Sequence, residues 1–340
     1  MKRVLAVIHD PGGASGLIPV LQSLAGEVAL TIYAGKFVSA RVTSAGLPFR
    51  ELASDLSSEA AQALLQEVHP EVLITGTSWG SPAEQNLRNE AHLRGLPSVV
   101  FLDYWSNYAK RWEGATYPLA EMKDRIAVLD DGMHAEMLAE GFPAQSLVVT
   151  GHPRLEALSR EISTSKKSKV GKVLFLSEPA RSSYNGPIAG HPLLKLAEAF
   201  AALGREITLL VKLHPKEELG TELTDLLTRV NATGILASIV TDVMLPMGFL
   251  DFEYVFGYQS MGLFEAAAMG AKAFAFPSAP PGPGLAAGLH RFGIAQLSAD
   301  PQVIGEAVLK ADAERGVLRV GTLVQGATVA ICQMVLKPAL

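Results

Sequence analysis

The chain has 340 residues, of which 49% are apolar and only 19% charged, and its net charge is −5. The length suits two domains of roughly 150 to 170 residues each. The composition excludes a disordered chain, and the absence of a dense basic stripe argues against a nucleic-acid partner.

A single cysteine, Cys332, excludes an intramolecular disulfide and a cysteine metal cluster. The apolar run at 4–8 stops at His9-Asp10-Pro11-Gly12, too short for a signal peptide. No apolar run approaches membrane-spanning length. A cytoplasmic protein is expected, with peripheral membrane contact left open.

Residues 4–8 form a short continuous apolar stretch of the kind found in central parallel strands. A loop follows at 9–15, and residues 16–24 carry a helical pattern through Leu17, Val20, Leu21 and Leu24. Strands are predicted at 29–34, from Phe49, and at 72–75, 99–102, 125–129 and 147–150, with helices at 37–45, 59–68, 86–94 and 132–140. The polar stretch 159–170 reads as an interdomain linker. The pattern then restarts, with strands at 172–176, 207–213, 234–240, 254–257 and 271–276, and helices at 193–203, 219–230, 302–312 and roughly 323–337. Residues 242–249 are ambiguous, because Pro246 and Gly248 keep any helix there short. Alternating strands and helices predict a doubly wound parallel sheet in each half. In such sheets ligands bind outside the carboxyl ends of the strands, so the polar loops after strands are the candidate sites.

The first of these loops is His9-Asp10-Pro11-Gly12-Gly13-Ala14-Ser15-Gly16. Its glycines let a ligand approach the backbone and leave a helix start open to it. Asp10 is a catalytic candidate, since a polar group at a strand end points at the crevice. A tight turn without ligand contact is the competing reading. Thr77 and Trp79, in Thr75-Gly76-Thr77-Ser78-Trp79-Gly80-Ser81, offer a hydroxyl and an aromatic face to a sugar or an acceptor. Asp103 directly follows the strand at 99–102 and is the best candidate for a general base. Tyr104 and Trp105 beside it, with Tyr108 and Trp112, either stack on a sugar or form an aromatic satellite core. Asp130-Asp131 is either a coupled carboxylate pair or a helix cap. His152 closes the first half, where a structural role is the simpler reading.

In the second half Arg181 follows a strand and suits a phosphate, and residues 182–190 read as a lid. His214, in Val211-Lys212-Leu213-His214-Pro215-Lys216, ends a strand and is a second catalytic candidate, with Lys216 adding charge. The stretch from Val255 to Gly270 reads as strand, turn and helix, with Ser260, Met261 and Gly262 at the helix start and Glu265 one turn in. Free N–H groups at such a start can hold phosphate. Residues 278–284 read as a rigid pocket rim.

Three of these stretches resemble the two-domain GT-B group of nucleotide-sugar enzymes, above all UDP-N-acetylglucosamine 2-epimerases and the capsule or teichoic-acid glycosyl and glycerophosphate transferases. They are Val148 through Leu158, Val211-Lys212-Leu213-His214-Pro215, and Gly257 through Gly270. The resemblance implies an α/β fold of two Rossmann-like doubly wound parallel-sheet domains facing across a cleft. The domains would be 1–158 on the acceptor side and 172–320 on the nucleotide-sugar side, with a linker at 159–171. A C-terminal helix at 321–340 would pack back across the domains or form an interface. The resemblance further implies Ser260 and Gly262 on the diphosphate, Glu265 on the ribose, His214 near the phosphate or anomeric centre, and Gly12 and Gly13 opposite from the first domain. Asp103 falls where these proteins carry an active-site acid. Thr77 stands where the epimerases have an acidic residue, Asp130-Asp131 replaces their Thr-Glu pair, and Tyr258-Gln259-Ser260 replaces their Asp-Ser.

The function expected first is a metal-independent glycosyltransferase of polysaccharide biosynthesis that takes a nucleotide-diphosphate sugar and an acceptor, with Asp103 as base. The alternatives are a 2-epimerase or hydrolase, a glycerophosphate-type transferase, and a noncatalytic nucleotide-sugar-binding protein. No cofactor or metal is expected beyond the substrate, and a homodimer is compatible with the apolar C-terminal stretch.

Overall fold

The computed structural model describes residues 1–78, 81–162, 170–178, 186–214, 217, 220–240, 248–258, 260–277, 285–314 and 325–338. The chain divides into two compact units, Met1–Ala157 with Leu323–Leu340, and Leu158–Thr322.

The first unit is built on strands β1 (Arg3–Ile8), β2 (Ala29–Ala34), β3 (Arg50–Glu51), β4 (Val72–Thr75), β5 (Ser98–Phe101), β6 (Arg125–Val128) and β7 (Leu147–Val149). They form one sheet in the order β3-β2-β1-β4-β5-β6-β7, parallel throughout. Its helices are α1 (Pro11–Leu24), α2 (Ser39–Ser44), α3 (Ser58–Val68), α4 (Ala83–Arg94) and α5 (Asp131–Ala139), and α6 (Pro153–Ile162) begins in it and runs past its end at Ala157. Val4 through Ile8 are fully buried, as a strand covered on both faces requires. The strand order reverses between β1 and β4, so the crevice at a topological switch point opens over the loops that follow those two strands.

The second unit repeats the plan with β8 (Lys172–Leu176), α7 (Pro192–Ala202), β9 (Thr208–Lys212), α8 (Thr221–Asn231), β10 (Ala237–Val240), β11 (Tyr254–Gly257), α9 (Met261–Ala268), β12 (Lys272–Ala275), α10 (Leu285–Arg291), β13 (Ala295–Gln296) and α11 (Pro301–Ala313). Its sheet order is β10-β9-β8-β11-β12-β13, again parallel, with the reversal between β8 and β11. Its core is aromatic. Phe256 stacks on Phe274 with centroids 5.0 Å apart and meets Phe200 edge-on at 6.2 Å. Such pairs add about 0.5–1.5 kcal/mol each beyond the area they bury.

Several boundaries move from those the sequence predicts. Helix α1 starts at Pro11 rather than at residue 16, so Gly12 and Gly13 lie in its first turn instead of in a loop. Asp10 caps it by accepting the Gly13 N–H at 2.9 Å, and the fixed φ of Pro11 suits the first helical position. Helix α6 runs to Ile162, four residues into the stretch read as linker, because Leu155 and Leu158 give it a buried face; residues 163–169 lie outside the described residues. Strand β13 and helix α10 have no counterpart in the predicted elements, two strand residues being too few to show a period. The last helix, α12 (Ala327–Leu336), packs on α1 within the first unit, burying Ile331, Met334 and Val335. Lys2 Nζ and the Arg125 guanidinium hold its end, donating to the Leu336 and Lys337 carbonyls at 2.6 and 2.9 Å.

Candidate functional site

In the first unit the loops after β1 and β5 and the first turn of α4, which follows β4, bring three carboxylates and one guanidinium to the carboxyl end of the sheet. Asp103 is ion-paired with Arg111 at 2.8 Å. The same guanidinium donates to the Thr77 hydroxyl at 2.7 Å and to the Thr77 carbonyl at 3.1 Å, and its Nε donates to the Ser106 carbonyl at 3.3 Å. Arg111 thus ties the β4 and β5 loops together around Asp103. Gly12 borders this carboxylate so closely that a Cβ there would fall 1.8 Å from Asp103 Oδ2 and 3.7 Å from Asp10 Oδ1. The absent side chain of Gly12 leaves a small space edged by both aspartates.

Asp10 is set apart electrostatically. Burial, then the negative charges of Asp103 and Glu84, push its pKa up to about 7, against the Gly13 N–H and Arg111, which favour the carboxylate. A group poised near neutrality can give or take a proton. Glu84 went unnoticed in the sequence because the pattern starts α4 at residue 86. It is buried and accepts the His9 N–H at 3.1 Å and the Ser78 N–H at 2.6 Å. Arg111 was also missed as a site residue; its signal was a cation eight positions beyond Asp103.

The aromatic stretch is mostly interior. Trp105 is 1% exposed and donates its indole N–H to Asp130 Oδ2 at 2.7 Å, while Asp130 Oδ1 caps α5 through the Met133 N–H at 2.7 Å. The expectation that Trp105 stacks on a sugar is therefore corrected, since burial leaves it no open face, and Asp130 is a helix cap. Tyr108 is likewise buried, its hydroxyl on Glu136 at 2.5 Å. Tyr104, half-buried beside Asp103, meets Trp105 edge-on at 6.2 Å. Thr77 is buried and engaged by Arg111. Trp79 lies outside the described residues. His152 is buried against the edge of Phe101 at 5.2 Å; burial, then Arg154, lowers its pKa to about 3, which keeps the ring neutral.

In the second unit, Ser260 caps α9 after β11, its hydroxyl accepting the Gly262 N–H at 3.1 Å. A Cβ on Gly262 would meet Leu176 Cδ1 at 2.8 Å and Phe249 Cζ at 3.3 Å, so glycine here lets the helix start close onto the end of β8. An anion at this terminus would share or displace the serine cap. Met261 and Glu265 follow, both half-buried. Across β8, the β9 end carries His214, whose backbone N–H donates to Glu217 Oε2 at 3.1 Å. Glu217 Oε1 accepts the Ser177 hydroxyl at 2.8 Å, so this carboxylate, also missed in the sequence, straps the loops after β8 and β9. Tyr258 Oη lies 3.5 Å from His191 Nε2, and burial lowers the His191 pKa to about 4. Arg181, Lys216, residues 182–185 of the lid read at 182–190 and the rim at 278–284 lie outside the described residues.

Among the described residues no group of three or more His, Cys, Asp or Glu side chains is arranged to hold a metal ion, and no helix is long and apolar enough to cross a membrane.

No family model matches the sequence, and no curated protein does. Solved structures do match over nearly the whole chain. MnaA of S. aureus in a co-structure with UDP superposes with a TM-score of 0.70 at 12% identity, covering 98% of this chain and 96% of that one. The UDP-GlcNAc 2-epimerase of Neisseria meningitidis, bound to UDP-GlcNAc, gives 0.68 at 12% identity, covering 99% and 100%. The fold is GT-B-like. HepE of Anabaena, in complex with UDP and glucose, shares this GT-B-like fold with a TM-score of 0.61 at 12% identity, covering 97% and 95%. At such identity the likeness concerns the GT-B-like architecture and assigns no role to any residue.

Proposed function

We propose that the protein is an enzyme acting on a nucleoside-diphosphate sugar, with the second unit holding the nucleotide and the first supplying acid–base chemistry. The observation that carries this reading is the pairing of Asp10, which keeps a proton near neutrality, with Asp103, ion-paired to Arg111, beside the glycines that open α1. Two carboxyl groups in unlike electrostatic settings suit a reaction in which one gives a proton and the other takes one. That favours chemistry on the sugar itself, epimerisation or hydrolysis, over transfer. The likeness to UDP- and UDP-GlcNAc-bound structures supports the substrate class.

In this reading Asp103 is the base and Asp10 the acid. The N–H groups at the start of α9, with Ser260, Met261 and Gly262, meet the diphosphate, a task that preorganised donors perform well. Glu265 takes the ribose hydroxyls, and His214 lies near the phosphate. Gly12 and Gly13 leave room for the sugar, and Tyr104 borders it. Arg181 and Lys216 add positive charge.

The test is incubation with a panel of nucleotide sugars, following nucleotide release and, by NMR in deuterated water, exchange at the sugar carbons. Epimerisation incorporates deuterium without an acceptor, and hydrolysis releases nucleotide without one. Asp10→Asn and Asp103→Asn should each lower the rate by about 100-fold or more while nucleotide binding persists. Failure to bind any nucleotide or nucleotide sugar at millimolar concentration would sink the reading.

One observation favours glycosyl transfer as a second reading. Thr77, where the resemblance expects an acid, is neutral and its hydroxyl is engaged by Arg111. With one acidic group fewer, Asp103 would deprotonate an acceptor hydroxyl, and nucleotide release would then require an added acceptor.

A further inference from the structure

Glu84 is the least explained charge near the first unit's switch point. It sits in the first turn of α4, is 2% exposed and, among the described residues, bonds to backbone N–H groups rather than to a cation: His9 after β1 and Ser78 after β4. The buried Arg88, one turn along the same helix, spends its donors elsewhere, on Gln85, on the Gly76 carbonyl at 2.9 Å and on the Arg111 carbonyl at 3.3 Å. A Cβ on Gly76 would meet Glu84 Oε1 at 3.1 Å and Gly13 Cα at 3.5 Å, and the Gly13 N–H donates to Asp10 Oδ1. Glu84 therefore rests on the same backbone segments that carry Asp10. A buried carboxylate bound only by neutral donors keeps its full field on its neighbours.

We propose that Glu84 is a positioning residue for the reaction: its carboxylate locks the loops after β1 and β4 together and sets a negative charge beside Asp10. This rests on the reading of Asp10 as the acid. The other charged groups around Asp10 are Asp103 after β5, which acts in the same direction as Glu84, and Arg111 from the turn Ala109–Trp112, which acts against it. From α2, Arg41 donates to the Pro11 carbonyl at 3.5 Å. The first turn of α1 contributes no acidic residue of its own.

The experiment is a carboxyl ¹³C NMR titration of the full-length protein, with Asp10 assigned by comparison with Asp10→Asn, alongside the pH profile of kcat/KM. Glu84→Gln, which keeps the shape and removes the charge, should lower the Asp10 midpoint by about one pH unit. The alkaline limb of the rate profile should move down with it. Glu84→Asp, which keeps the charge, should leave the midpoint raised even where its shorter reach weakens the two hydrogen bonds. A midpoint unmoved in Glu84→Gln overturns the proposal. Should that variant fail to fold, the wild-type titration decides: an Asp10 midpoint raised to about 7 supports the proposal, and one in the ordinary carboxylate range overturns it. A midpoint that shifts while the rate profile stays in place supports the electrostatic role of Glu84 and overturns the catalytic reading of Asp10, so the two failures are told apart.

Discussion

Gly12 and Asp103 compete for one small space: a methyl group on Gly12 would lie 1.8 Å from Asp103 Oδ2. The carboxylate is braced on its other side by Arg111 at 2.8 Å, so the first turn of α1 and the loop after β5 are fitted to one another. Gly12→Ala must push Asp103 off its position. A displacement on the order of 1 Å at a reacting group costs about 100-fold in rate, so under the proposed function kcat should fall by that factor while the dissociation constant for a nucleoside diphosphate, which that reading assigns to the second unit, stays within error. An alanine variant with wild-type kcat would remove Asp103 from the reaction.

The raised pKa of Asp10 makes stability depend on pH in a definite direction. The folded protein holds that proton up to about pH 7, whereas an unfolded aspartate loses it near about 3.9. The stabilising contribution is therefore complete below about pH 4 and is lost as pH rises through about 7. Asp10→Asn keeps an oxygen to cap α1 and removes the titration. Its melting temperature should gain on wild type between pH 5 and pH 8; parallel curves would show that Asp10 does not titrate in this range.

His152 works on the acid side. Its folded pKa lies at about 3 because burial disfavours the imidazolium, against about 6.5 in the unfolded chain. Stability from its neutral form is present above about pH 6.5 and is lost as pH falls towards 3. His152→Gln should be less stable at pH 7 yet show a shallower loss of urea-unfolding free energy from pH 6 to pH 4. The slope that remains is assigned in part to His191, whose pKa is lowered to about 4 by its own burial. An unchanged slope would contradict the burial of a neutral ring.

Glu217 joins Ser177 to His214 across the ends of β8 and β9. Removing its carboxylate in Glu217→Ala frees both loops. With each of the two lost hydrogen bonds worth roughly 1 kcal/mol, calorimetric affinity for a nucleoside diphosphate should weaken by up to about thirtyfold. Affinity equal to wild type would show that the nucleotide does not depend on these loops.

Trp105 separates an interior aromatic from a binding one. Trp105→Phe removes the indole donor to Asp130 and should cost roughly 1–3 kcal/mol of stability, read by chemical denaturation, with kcat/KM kept within about twofold at a temperature where the variant is folded. A larger kinetic loss would return the ring to the substrate.

Much of the fold was legible from local signals. The buried run at residues 4–8, the pattern of the second unit's strands and the glycine at position 270 ending α9 are properties of neighbouring residues, and strand and helix periods expose them. Asp103 stood out for the same reason, as a polar group directly after an apolar strand, and Ser260 as a polar residue at a helix start. Glu84, Arg111 and Glu217 did not, because a carboxylate on a helix and a cation in a loop look like solvent-exposed residues until the chain is folded. Trp105 was misread because a loop aromatic and a core aromatic have the same sequence signature, and only the position of Asp130, 25 residues further on, distinguishes them.

By itself the amino-acid order determined two successive parallel-sheet halves, since hydrophobic period and glycine punctuation act over a few residues and need no distant partner. Tertiary structure alone decided which charges meet. The raised proton affinity of Asp10 depends on burial and on carboxylates 74 and 93 residues away along the chain. Electrostatic energy follows distance in space, and the parallel strands bring those groups to the carboxyl end of the sheet.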